Sequence, residues 1–396
     1  MRVEIKKSNP IGSIKAPPSK SIAHRLIILA ALSSGESTIK NISLSDDIKA
    51  TLSCIESIGA KYSYSDESLK IIGTDKIKVS NVLNCSECGS TLRFFIPICM
   101  LSDDKCILTG SEKLLSRPLS VYERICNETG IRFNNDGKLI TVEGKLKSGK
   151  YVVPGNISSQ FITGLLFVLP LIDGDSTIEI TESIESRPYI DLTIQAQKKF
   201  GADINWLNEN TLFIKGGQKY FACSTENEGD WSNAAFLYAL GAEVAGVNKG
   251  SLQGDRVCLE HFCSLKEKYC EIDISDCPDL GPILFAYAAL NHGGKFTGTR
   301  RLKIKESDRA AAFSEELKKF GVNAIITENE VIIPETKIKA PSQPLFGHND
   351  HRIVMSLAVI CAKTGGCING AQAVNKSYPQ FFEDIKKLKV KVSYEA

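Results

Sequence analysis

Lysine, arginine and serine side chains gather at the start of an apolar segment in the stretch APPSKSIAHRL, residues 16–26. Lys20 and Arg25 lie near its beginning, although the positive end of a helix dipole normally favours acidic side chains. Backbone N–H groups without helical partners and a positive dipole both suit a bound anion. Cations at such an end repel one another unless an anion neutralises them, so the pattern indicates an anion-binding site.

Other apolar segments also begin with residues of unusual type. Their first residues include Gly89 and Ser90; Ser158, Ser159 and Gln160; Asp279; and Asp350, His351 and Arg352. Any one of these serines or aspartates has an ordinary structural explanation as a helix cap. Their recurrence at equivalent places instead favours one anion-binding cleft, formed where the helix starts meet.

Further charged groups lie in loops that precede more polar helical segments. The stretches are SRPLSVYERI with Arg117, ESRPYIDLTI with Ser186 and Tyr189, RRLKIKESDRAAAF with Lys305, Glu306 and Arg309, and NKSYPQFFEDI with Lys376. Arginine offers a planar fork for carboxylate or phosphate, and lysine offers a mobile point charge. These loops therefore add cations to the predicted anion site.

The elements that position these residues form an internal repeat. Turns such as SIGAKYSY, ETGIRFNN, KFGADINW and KFGVNAII recur, and their glycines suit the left-handed residue that ends many helices. A helix–strand–helix–strand–strand unit recurs roughly every 65–70 residues, which gives six copies in two groups of three, the fourth being shorter. The first helix of each copy is apolar on nearly all sides and is predicted to be buried, whereas the second has a polar outer face.

Length and composition exclude several classes of protein. A chain of 396 residues is long enough for two domains. Its 48 lysines and arginines nearly balance its 46 aspartates and glutamates, which argues against a general nucleic-acid binder. No apolar run approaches the roughly 20 residues of a membrane helix, and the N-terminus has no signal-peptide core. We therefore expect a cytoplasmic protein that does not bind membranes.

Cofactor and metal motifs are also missing from the sequence. The 13 cysteines are scattered, mostly in apolar surroundings, and are predicted to be free thiols. Cys85 and Cys88 have zinc-ligand spacing in CSEC, but no second pair lies at a matching distance, so no metal site is predicted. A phosphate-loop motif, a Rossmann fingerprint and a G-x-S-x-G motif are absent, which argues against nucleotide cofactors and against a serine hydrolase.

Nine motifs occur in order along the chain: PPSKSIAHR, ECGSTLRF, SRPL, GNISSQFITGLL, ESRPYID, CPDLGPILFAYAAL, RLKIKESDR, NDHR and NKSYPQFF. Together they resemble the EPSP synthase (3-phosphoshikimate 1-carboxyvinyltransferase) family over essentially the whole chain. The resemblance implies transfer of the enolpyruvyl group of phosphoenolpyruvate to the 5-hydroxyl of shikimate 3-phosphate, with release of phosphate, in the shikimate pathway to aromatic amino acids. It also implies glyphosate as an inhibitor and neither a metal nor an organic cofactor.

The same resemblance implies a two-domain inside-out α/β barrel, with three copies of the folding unit in each domain. The expected domains are residues 13–226 and residues 1–12 with 227–396, with the active site in the cleft between them. The N-terminal strand would then belong to the C-terminal domain. We also expect a monomer that acts on small anionic substrates.

Substrate-binding residues follow from the resemblance, position by position. For shikimate 3-phosphate they are Lys20, Ser21, Arg25, Ser158, Ser159, Gln160, Ser186, Tyr189, Asp279, Arg301 and Lys305. For phosphoenolpyruvate they are Lys20, Gly89, Arg117, Gln160 and Lys376, with Arg309 and Arg352 on its carboxylate. The substrates bring roughly five to six negative charges, which the lysines and arginines at these positions balance.

The chemistry requires a proton acceptor for the attacking hydroxyl and a proton donor for the methylene carbon. Asp279 is the candidate base at the hydroxyl. Glu306 and Lys20 are competing candidates for proton transfer at carbon, and the sequence does not choose between them. The catalytic set is therefore Asp279, Glu306 and Lys20.

Three positions depart from the family pattern: Glu87 and Arg301 stand where Asn is found, and Phe94 where Pro is found. We expect Glu87 to pair with a cation and Arg301 to contact the substrate by a different bond. The related UDP-N-acetylglucosamine enolpyruvyl transferases carry a reactive loop cysteine, but the matching stretch GSEKLLSRPLS has none. A non-enzymatic anion-binding scaffold would gain nothing from Asp279 and Glu306 in a cationic cleft.

Overall fold

The structure is a computed structural model that describes residues 1–74, 76–79 and 82–395. Two compact units divide the chain: the N-terminal unit, Pro18–Glu228, and the C-terminal unit, which combines Met1–Pro17 with the chain from Gly229 onward. The observed divisions thus lie after Pro17 and after Glu228, a few residues beyond those expected from the sequence.

In chain order the strands are β1 (Arg2–Lys6), β2 (Ser13–Lys15), β3 (Ser33–Ser34), β4 (Glu36–Lys40), β5 (Lys61–Ser65), β6 (Ser68–Ile72), β7 (Leu83–Asn84), β8 (Cys106–Thr109), β9 (Arg132–Asn135), β10 (Leu139–Glu143), β11 (Lys150–Pro154), β12 (Ser176–Thr181), β13 (Ile204–Asn208), β14 (Thr211–Ile214), β15 (Tyr220–Phe221), β16 (Ser224–Glu226), β17 (Glu243–Ala245), β18 (Glu271–Asp273), β19 (Gly294–Thr297), β20 (Ile325–Ile326), β21 (Glu330–Ile333), β22 (Leu345–Phe346), β23 (Gly366–Asn369) and β24 (Lys391–Glu395).

The α-helices are α1 (Lys20–Ala31), α2 (Asp46–Ser57), α3 (Gly89–Cys99), α4 (Glu112–Leu115), α5 (Ser120–Thr129), α6 (Ser159–Val168), α7 (Arg187–Lys199), α8 (Trp231–Ala239), α9 (Cys258–Glu267), α10 (Gly281–Leu290), α11 (Arg309–Lys319), α12 (His351–Thr364) and α13 (Phe381–Lys387). Short 3-10 helices span Leu169–Leu171, Gly254–Val257, Pro278–Leu280, Arg300–Ile304 and Ala371–Lys376.

The repeat is visible in the sheets of the N-terminal unit, whose strand orders are β7-β8-β10-β9, β11-β12-β14-β13 and β16-β4-β6-β5. In each sheet the first two strands are parallel and the remaining pairs are antiparallel. The copies that start at β7 and β11 therefore read strand, inner helix, strand, outer helix and hairpin, whereas in the copy that starts at α1 the strand beside β4 is β16, from the end of the unit. The copy predicted from the sequence lacked the first strand, because strands such as β7, with two residues, are too short to show an alternating pattern.

The C-terminal unit contains sheets of order β18-β19-β21-β20 and β22-β23-β1-β24 and the two-stranded pair β17-β2. The two-stranded pair, with α8 and α9, forms the shorter copy that the sequence spacing predicts. Strand β1 lies between β23 and β24 and is antiparallel to both, so the N-terminus completes a sheet of this unit.

The first helix of each copy supplies much of the core. In α1 every residue from Ile22 to Ala31 is buried, and in α12 every residue from His351 to Ala362 is buried. One hydrophobic cluster fills each unit. These observations confirm the predicted burial of the apolar helices and the α/β class. Among the described residues, no helix has both the length and the apolar character needed to cross a membrane.

Candidate active site

The starts of the inner helices of the N-terminal unit hold most of its predicted site residues. Helices α1, α3 and α6 begin at Lys20, Gly89 and Ser159, each directly after a capping residue. Ser19 caps α1 by accepting a hydrogen bond from the Ile22 N–H at 3.4 Å. Side-chain contacts join these helix starts to one another and to the outer helices.

Arg25 ties α1 to α7 and is 3% exposed. Its Nε donates to Thr193 Oγ1 at 2.8 Å, Nη2 donates to the Tyr189 carbonyl at 2.9 Å, and Nη1 donates to the Ser21 carbonyl at 2.6 Å. Burial lowers the pKa of this guanidinium to about 10, while Tyr189 opposes the shift. The structure therefore brings Ser21, Arg25 and Tyr189 together, and their shared role in binding shikimate 3-phosphate stays a prediction.

Phe94, one of the three departures from the family pattern, packs against this arginine. The Arg25 guanidinium carbon lies 5.7 Å from the centre of the Phe94 ring, and that ring meets Phe167 edge-on with centroids 5.3 Å apart. A cation over an aromatic face is attracted by the ring quadrupole. Phe94 thus forms an apolar wall that helps to hold Arg25 in place.

Lys20 forms an ion pair that sequence reasoning missed. Its Nζ donates to Asp47 Oδ2 at 2.6 Å, and the two side chains are 14% and 10% exposed. Asp47 lies in the first turn of α2, where an acidic residue is an ordinary partner of the helix dipole. The sequence therefore did not indicate that Asp47 pairs with Lys20, because the two residues are 27 positions apart.

Gly89 and Arg117 meet at the start of α3. A Cβ placed on Gly89 would lie only 2.6 Å from Arg117 Nη1, so the guanidinium occupies the space that glycine leaves open. The two predicted phosphoenolpyruvate residues therefore lie side by side. Glu87, two positions earlier, is half-buried, and its expected pairing with a cation remains a prediction.

Gln160 links α6 to α3. Its side-chain amide donates to Ser90 Oγ at 2.9 Å, and its oxygen accepts from Arg93 Nη1 at 2.7 Å. Arg93, which lies 5.2 Å from the centre of the Phe161 ring, was not predicted as a site residue. The available signal was a single arginine in the otherwise apolar helix GSTLRFFIPIC.

The predicted serines occupy helix-start positions. Ser158 caps α6 by accepting a hydrogen bond from the Gln160 N–H at 3.3 Å, and Ser159 is the first residue of the helix. Ser186 precedes α7 with a left-handed backbone, φ 60°, and is buried. A left-handed non-glycine residue stores strain that is commonly retained at functional sites.

In the C-terminal unit three cations surround one carboxylate. Asp279 Oδ1 accepts from Arg309 Nη1 at 2.8 Å and from Lys305 Nζ at 3.3 Å, and Oδ2 accepts from Arg352 Nη2 at 2.9 Å. Burial lowers the pKa of Lys305, Asp279 opposes that shift, and Arg309 and Arg301 add to it. The structure thus brings together four residues that are spread over the chain, with Asp279 and Arg352 separated by 73 positions.

Arg309, which is 1% exposed, lies at the centre of a group that we call the acid–base cluster. Its members are Asp279, Lys305, Glu306, Arg309, Asp350 and Arg352. Besides Asp279, Arg309 donates from Nη2 to Glu306 Oε2 at 2.6 Å and from Nε to Asp350 Oδ2 at 2.9 Å. Burial disfavours its charge, but Asp350, Glu306 and Asp279 outweigh burial and raise the pKa of the guanidinium. The sequence placed Asp350 only at the start of a helix. In the structure Asp350 caps α12, and it also accepts a hydrogen bond that orients Arg309.

Two predicted cations contact backbone carbonyls in the same unit. Arg301 Nη2 donates to the Ser275 carbonyl at 2.5 Å, and Lys376 Nζ donates to the Asn349 carbonyl at 2.5 Å. Asn349 directly precedes Asp350, so Lys376 lies near the start of α12. Both cations are buried beside the elements that carry the acid–base cluster.

The side chains of Cys85 and Cys88 in CSEC have different main partners. Cys85 interacts with Cys54, whereas Cys88 caps α3 and lies near His24. Within the described residues, His24, Asp47 and Cys88 offer ligand atoms that could hold a metal ion. Cys106 and Cys126, which flank the loop that would carry a reactive cysteine in the related transferases, are buried in β8 and α5.

Comparisons with known proteins agree with the motif order. The family model for EPSP synthase (3-phosphoshikimate 1-carboxyvinyltransferase) matches residues 5–261 and 240–385. The 3-phosphoshikimate 1-carboxyvinyltransferase of Clostridium acetobutylicum is 42% identical over 414 residues, covering 96% of each chain. That of Clostridium kluyveri is 40% identical over 413 residues, covering 98% of this chain and 97% of the relative. An EPSP synthase structure from Acinetobacter baumannii superposes with a TM-score of 0.80 at 22% identity, covering 99% of this chain and all of that one, which shows a common fold.

Proposed function

Since this chain belongs to the EPSP synthase (3-phosphoshikimate 1-carboxyvinyltransferase) family, we propose that the helix starts and the acid–base cluster described above bind and activate its two substrates. The chain is an enolpyruvyl transferase of the shikimate pathway: it transfers the enolpyruvyl group of phosphoenolpyruvate to shikimate 3-phosphate and releases phosphate. The single observation that carries the proposed roles is the set of cations held at helix starts by buried partners, of which Arg25 is the best defined.

Shikimate 3-phosphate binds to the residues around α1, α6 and α7. Ser21, Arg25, Ser158, Ser159, Ser186 and Tyr189 supply hydroxyl, phenol, guanidinium and backbone N–H donors there. Gln160 and Lys20 contribute from the same helix starts, and Arg301, Lys305 and Asp279 contribute from the C-terminal unit. The lowered pKa of Arg25 fits this role, because a phosphate dianion restores the stabilisation that burial removes.

Phosphoenolpyruvate binds through its phosphate to Gly89, Arg117, Gln160, Lys20 and Lys376. Gly89 suits the phosphate because a backbone N–H can approach an anion closely only where no side chain intervenes. Arg309 and Arg352 bind the carboxylate. Arginine is suited to this task because its parallel N–H groups match two carboxylate oxygens.

Binding of that carboxylate requires an exchange of partners at Asp279. In the structure Arg309 and Arg352 both donate to Asp279, so the substrate carboxylate takes the place of the aspartate on these arginines. Asp279 is then left with fewer cationic neighbours, which makes a carboxylate a stronger proton acceptor. Phosphoenolpyruvate binding thereby prepares Asp279 to accept the proton of the 5-hydroxyl.

Proton transfer at the methylene carbon has two candidate groups. Glu306 lies at the edge of the acid–base cluster with its side chain 18% exposed, and Lys20 lies in the other unit beside Asp47. A donor must reach the reacting carbon within hydrogen-bond range. Both residues are retained as candidates, each within a cluster of opposite charges.

Architecture and surroundings follow from the same proposal. We propose that each unit is an inside-out barrel, and the near-complete burial of the apolar helices α1, α3, α6, α10 and α12 supports this proposal. The protein works as a cytoplasmic monomer on small anionic substrates, without nucleic acid, membrane or cofactor.

Acceptor specificity tests the function directly. Phosphate release from phosphoenolpyruvate is measured with shikimate 3-phosphate or with UDP-N-acetylglucosamine as the acceptor. We expect release with the shikimate ester alone. Release only with the sugar nucleotide, or with neither acceptor, contradicts the proposal.

Lys305→Gln tests the proposed binding role of a cation in the acid–base cluster. It removes one of the charges next to Asp279 and is expected to raise the KM for shikimate 3-phosphate. Lys318→Gln on the last turn of α11 is the control, because that lysine is exposed. A KM unchanged by Lys305→Gln contradicts its role.

A further inference from the structure

Three buried side chains of different chemistry meet beneath the start of α1. His24 comes from α1, Asp47 from the first turn of α2, and Cys88 from the cap of α3. One ligand atom from each lies within 4.8 Å of the other two. Imidazole nitrogen, carboxylate oxygen and thiolate sulfur are the ligand types that zinc takes in proteins.

The contact between His24 Nδ1 and a threonine hydroxyl holds the imidazole ring with its other nitrogen towards Cys88. His24 Nδ1 lies 2.7 Å from Thr51 Oγ1, and Nε2 lies 3.8 Å from Cys88 Sγ. In the tautomer that carries its proton on Nδ1 and donates it to the threonine, the Nε2 lone pair is directed at the sulfur. Metal-binding histidines are commonly fixed in this way by an oxygen partner on the other nitrogen.

The protonation states also favour a neutral imidazole. Burial, together with Lys20 and Arg25, lowers the pKa of His24 well below its ordinary value, so the ring is neutral at neutral pH. Burial, with Asp47, raises the pKa of the Cys88 thiol to about 12, so the sulfur holds its proton until a metal ion replaces it. The ion pair beside the cluster offers a route of access, since the Lys20 and Asp47 side chains are partly exposed.

We propose that His24 Nε2, Asp47 and Cys88 Sγ form a binding site for a thiophilic divalent cation of the zinc class. The step is balanced: the metal forms a bond to sulfur, the Cys88 S–H proton passes to solvent, and no electron is transferred. The Cys88 thiol is the ligand that gives up a proton, so one proton is released for each ion bound. Three protein ligands leave a fourth position open to water.

Occupancy of this site acts on Lys20, and this consequence rests on the proposed function. Asp47 is the ion-pair partner of Lys20 at 2.6 Å, so a dication on Asp47 repels the lysine ammonium from its place. Lys20 is proposed to contact both substrates. Zinc is therefore expected to inhibit the transferase by removing the carboxylate that holds Lys20.

Cobalt(II) titration of the full chain under anaerobic conditions tests the site itself. We expect a saturable spectrum with one ion per chain, including a thiolate-to-cobalt charge-transfer band. Cys88→Ser should abolish the band, and Thr51→Val should weaken binding by about 10–100-fold, because the histidine loses its orienting partner. Cys85→Ser is the matched control, since Cys85 is a buried thiol three positions away whose side chain hydrogen-bonds with Cys54 and is not one of the three proposed ligands.

Calorimetry in two buffers of different ionisation enthalpy should give one proton released per cobalt ion in the parent protein. A band that survives in Cys88→Ser, a band lost in Cys85→Ser, a titration that does not saturate, or a proton count of zero or two overturns the site.

Zinc inhibition is then measured for each variant against its own chelator-treated rate. We expect inhibition of the parent and of Cys85→Ser and resistance in Cys88→Ser. Equal inhibition of all three overturns the link to Lys20. If the chelator-treated parent releases no phosphate at all, the proposed function fails while the cobalt result stands by itself.

Discussion

Asp279 shows how a single side chain serves two purposes at the residue scale. Its two oxygens accept hydrogen bonds from Lys305, Arg309 and Arg352, and its charge offsets part of the repulsion among these buried cations. The same carboxylate is the proposed base for the attacking hydroxyl. An amide of the same size keeps the shape of the side chain and its oxygen acceptor, but it cannot take up a proton.

Asp279→Asn should leave shikimate 3-phosphate binding largely intact and lower kcat by about 10²–10⁴-fold, because an amide cannot accept the hydroxyl proton. Binding is measured by calorimetry and turnover by phosphate release. Glu315→Gln, an exposed acid on α11, serves as the control and should behave like the parent. Turnover of Asp279→Asn within a few-fold of the parent means that Asp279 is not the base.

Gly89→Ala should weaken glyphosate more than phosphoenolpyruvate while leaving the fold stable. The added Cβ would lie 2.6 Å from Arg117 Nη1, and the far end of a flexible side chain can move aside, so the proposed phosphate contact changes rather than the backbone. Glyphosate is the longer ligand and fills the site with less clearance. The measurements are the glyphosate inhibition constant and the phosphoenolpyruvate KM.

Gly250→Ala is the control for this substitution, because its Cβ would meet nothing closer than Asn248 Oδ1 at 3.5 Å. It should change neither constant. Equal fold-changes of the two constants in Gly89→Ala show that Gly89 does not line the inhibitor's end of the site.

At the scale of the element, β1 joins its sheet from the opposite end of the chain, in the C-terminal unit where the family resemblance placed it. The strand carries the N-terminus of the chain, yet it lies between β23 and β24 with Val3 and Ile5 fully buried. A central strand donates and accepts ladder hydrogen bonds on both edges, so it tolerates proline poorly. The sheet of the last copy is therefore closed by residues from opposite ends of the sequence.

Glu4→Pro should destabilise the C-terminal unit, because proline removes a ladder N–H from the central strand β1. Glu4→Thr is the matched control: it loses the same contact with Ser393 but keeps the backbone N–H. Thermal unfolding is followed by the fluorescence of Trp231, which begins α8, in a Trp206→Phe background. An equal transition temperature in the two variants contradicts the central position of β1.

At the scale of the whole molecule, the free energy of unfolding depends on pH through ionisable groups that are buried in the folded protein. Asp255 lies in the 3-10 helix Gly254–Val257, is 2% exposed and accepts a hydrogen bond from the Ser232 hydroxyl. Burial, reinforced by Asp279, raises its pKa from 3.8 to about 6. Between these two values the folded protein binds more protons at this group than the unfolded chain does, so its stability falls as the pH rises.

Asp255→Asn should therefore stabilise the protein above about pH 6 and change little near pH 4, with a gain on the order of 3 kcal/mol for a shift of about two pKa units. The free energy of unfolding of the two proteins is compared by urea titration across this range, again with Trp231 as the reporter. A difference between the proteins that does not depend on pH contradicts the raised pKa of Asp255.

The sequence alone determined the repeat, the buried helices and the family, and it supplied the candidate site residues that remain proposals. Apolar residues on nearly all sides of α10 and α12 predict burial because these helices lack a wide polar face, and nine ordered motifs indicate the family. These signals depend on neighbouring residues or on the order of motifs along the chain, so they can be recognised from the sequence without a structure. Even so, they missed first strands such as β7, whose two residues carry no period.

Only the tertiary structure decided which charges meet. The Lys20–Asp47 pair, the three carboxylates on Arg309 and the grouping of Cys88 with His24 rather than Cys85 join separate copies or separate elements. Such partners are set by how helices pack against one another, and neither helical nor strand periodicity carries that information. Electrostatic interactions depend on distances of a few ångströms, so they became readable only once the helix starts were placed in space.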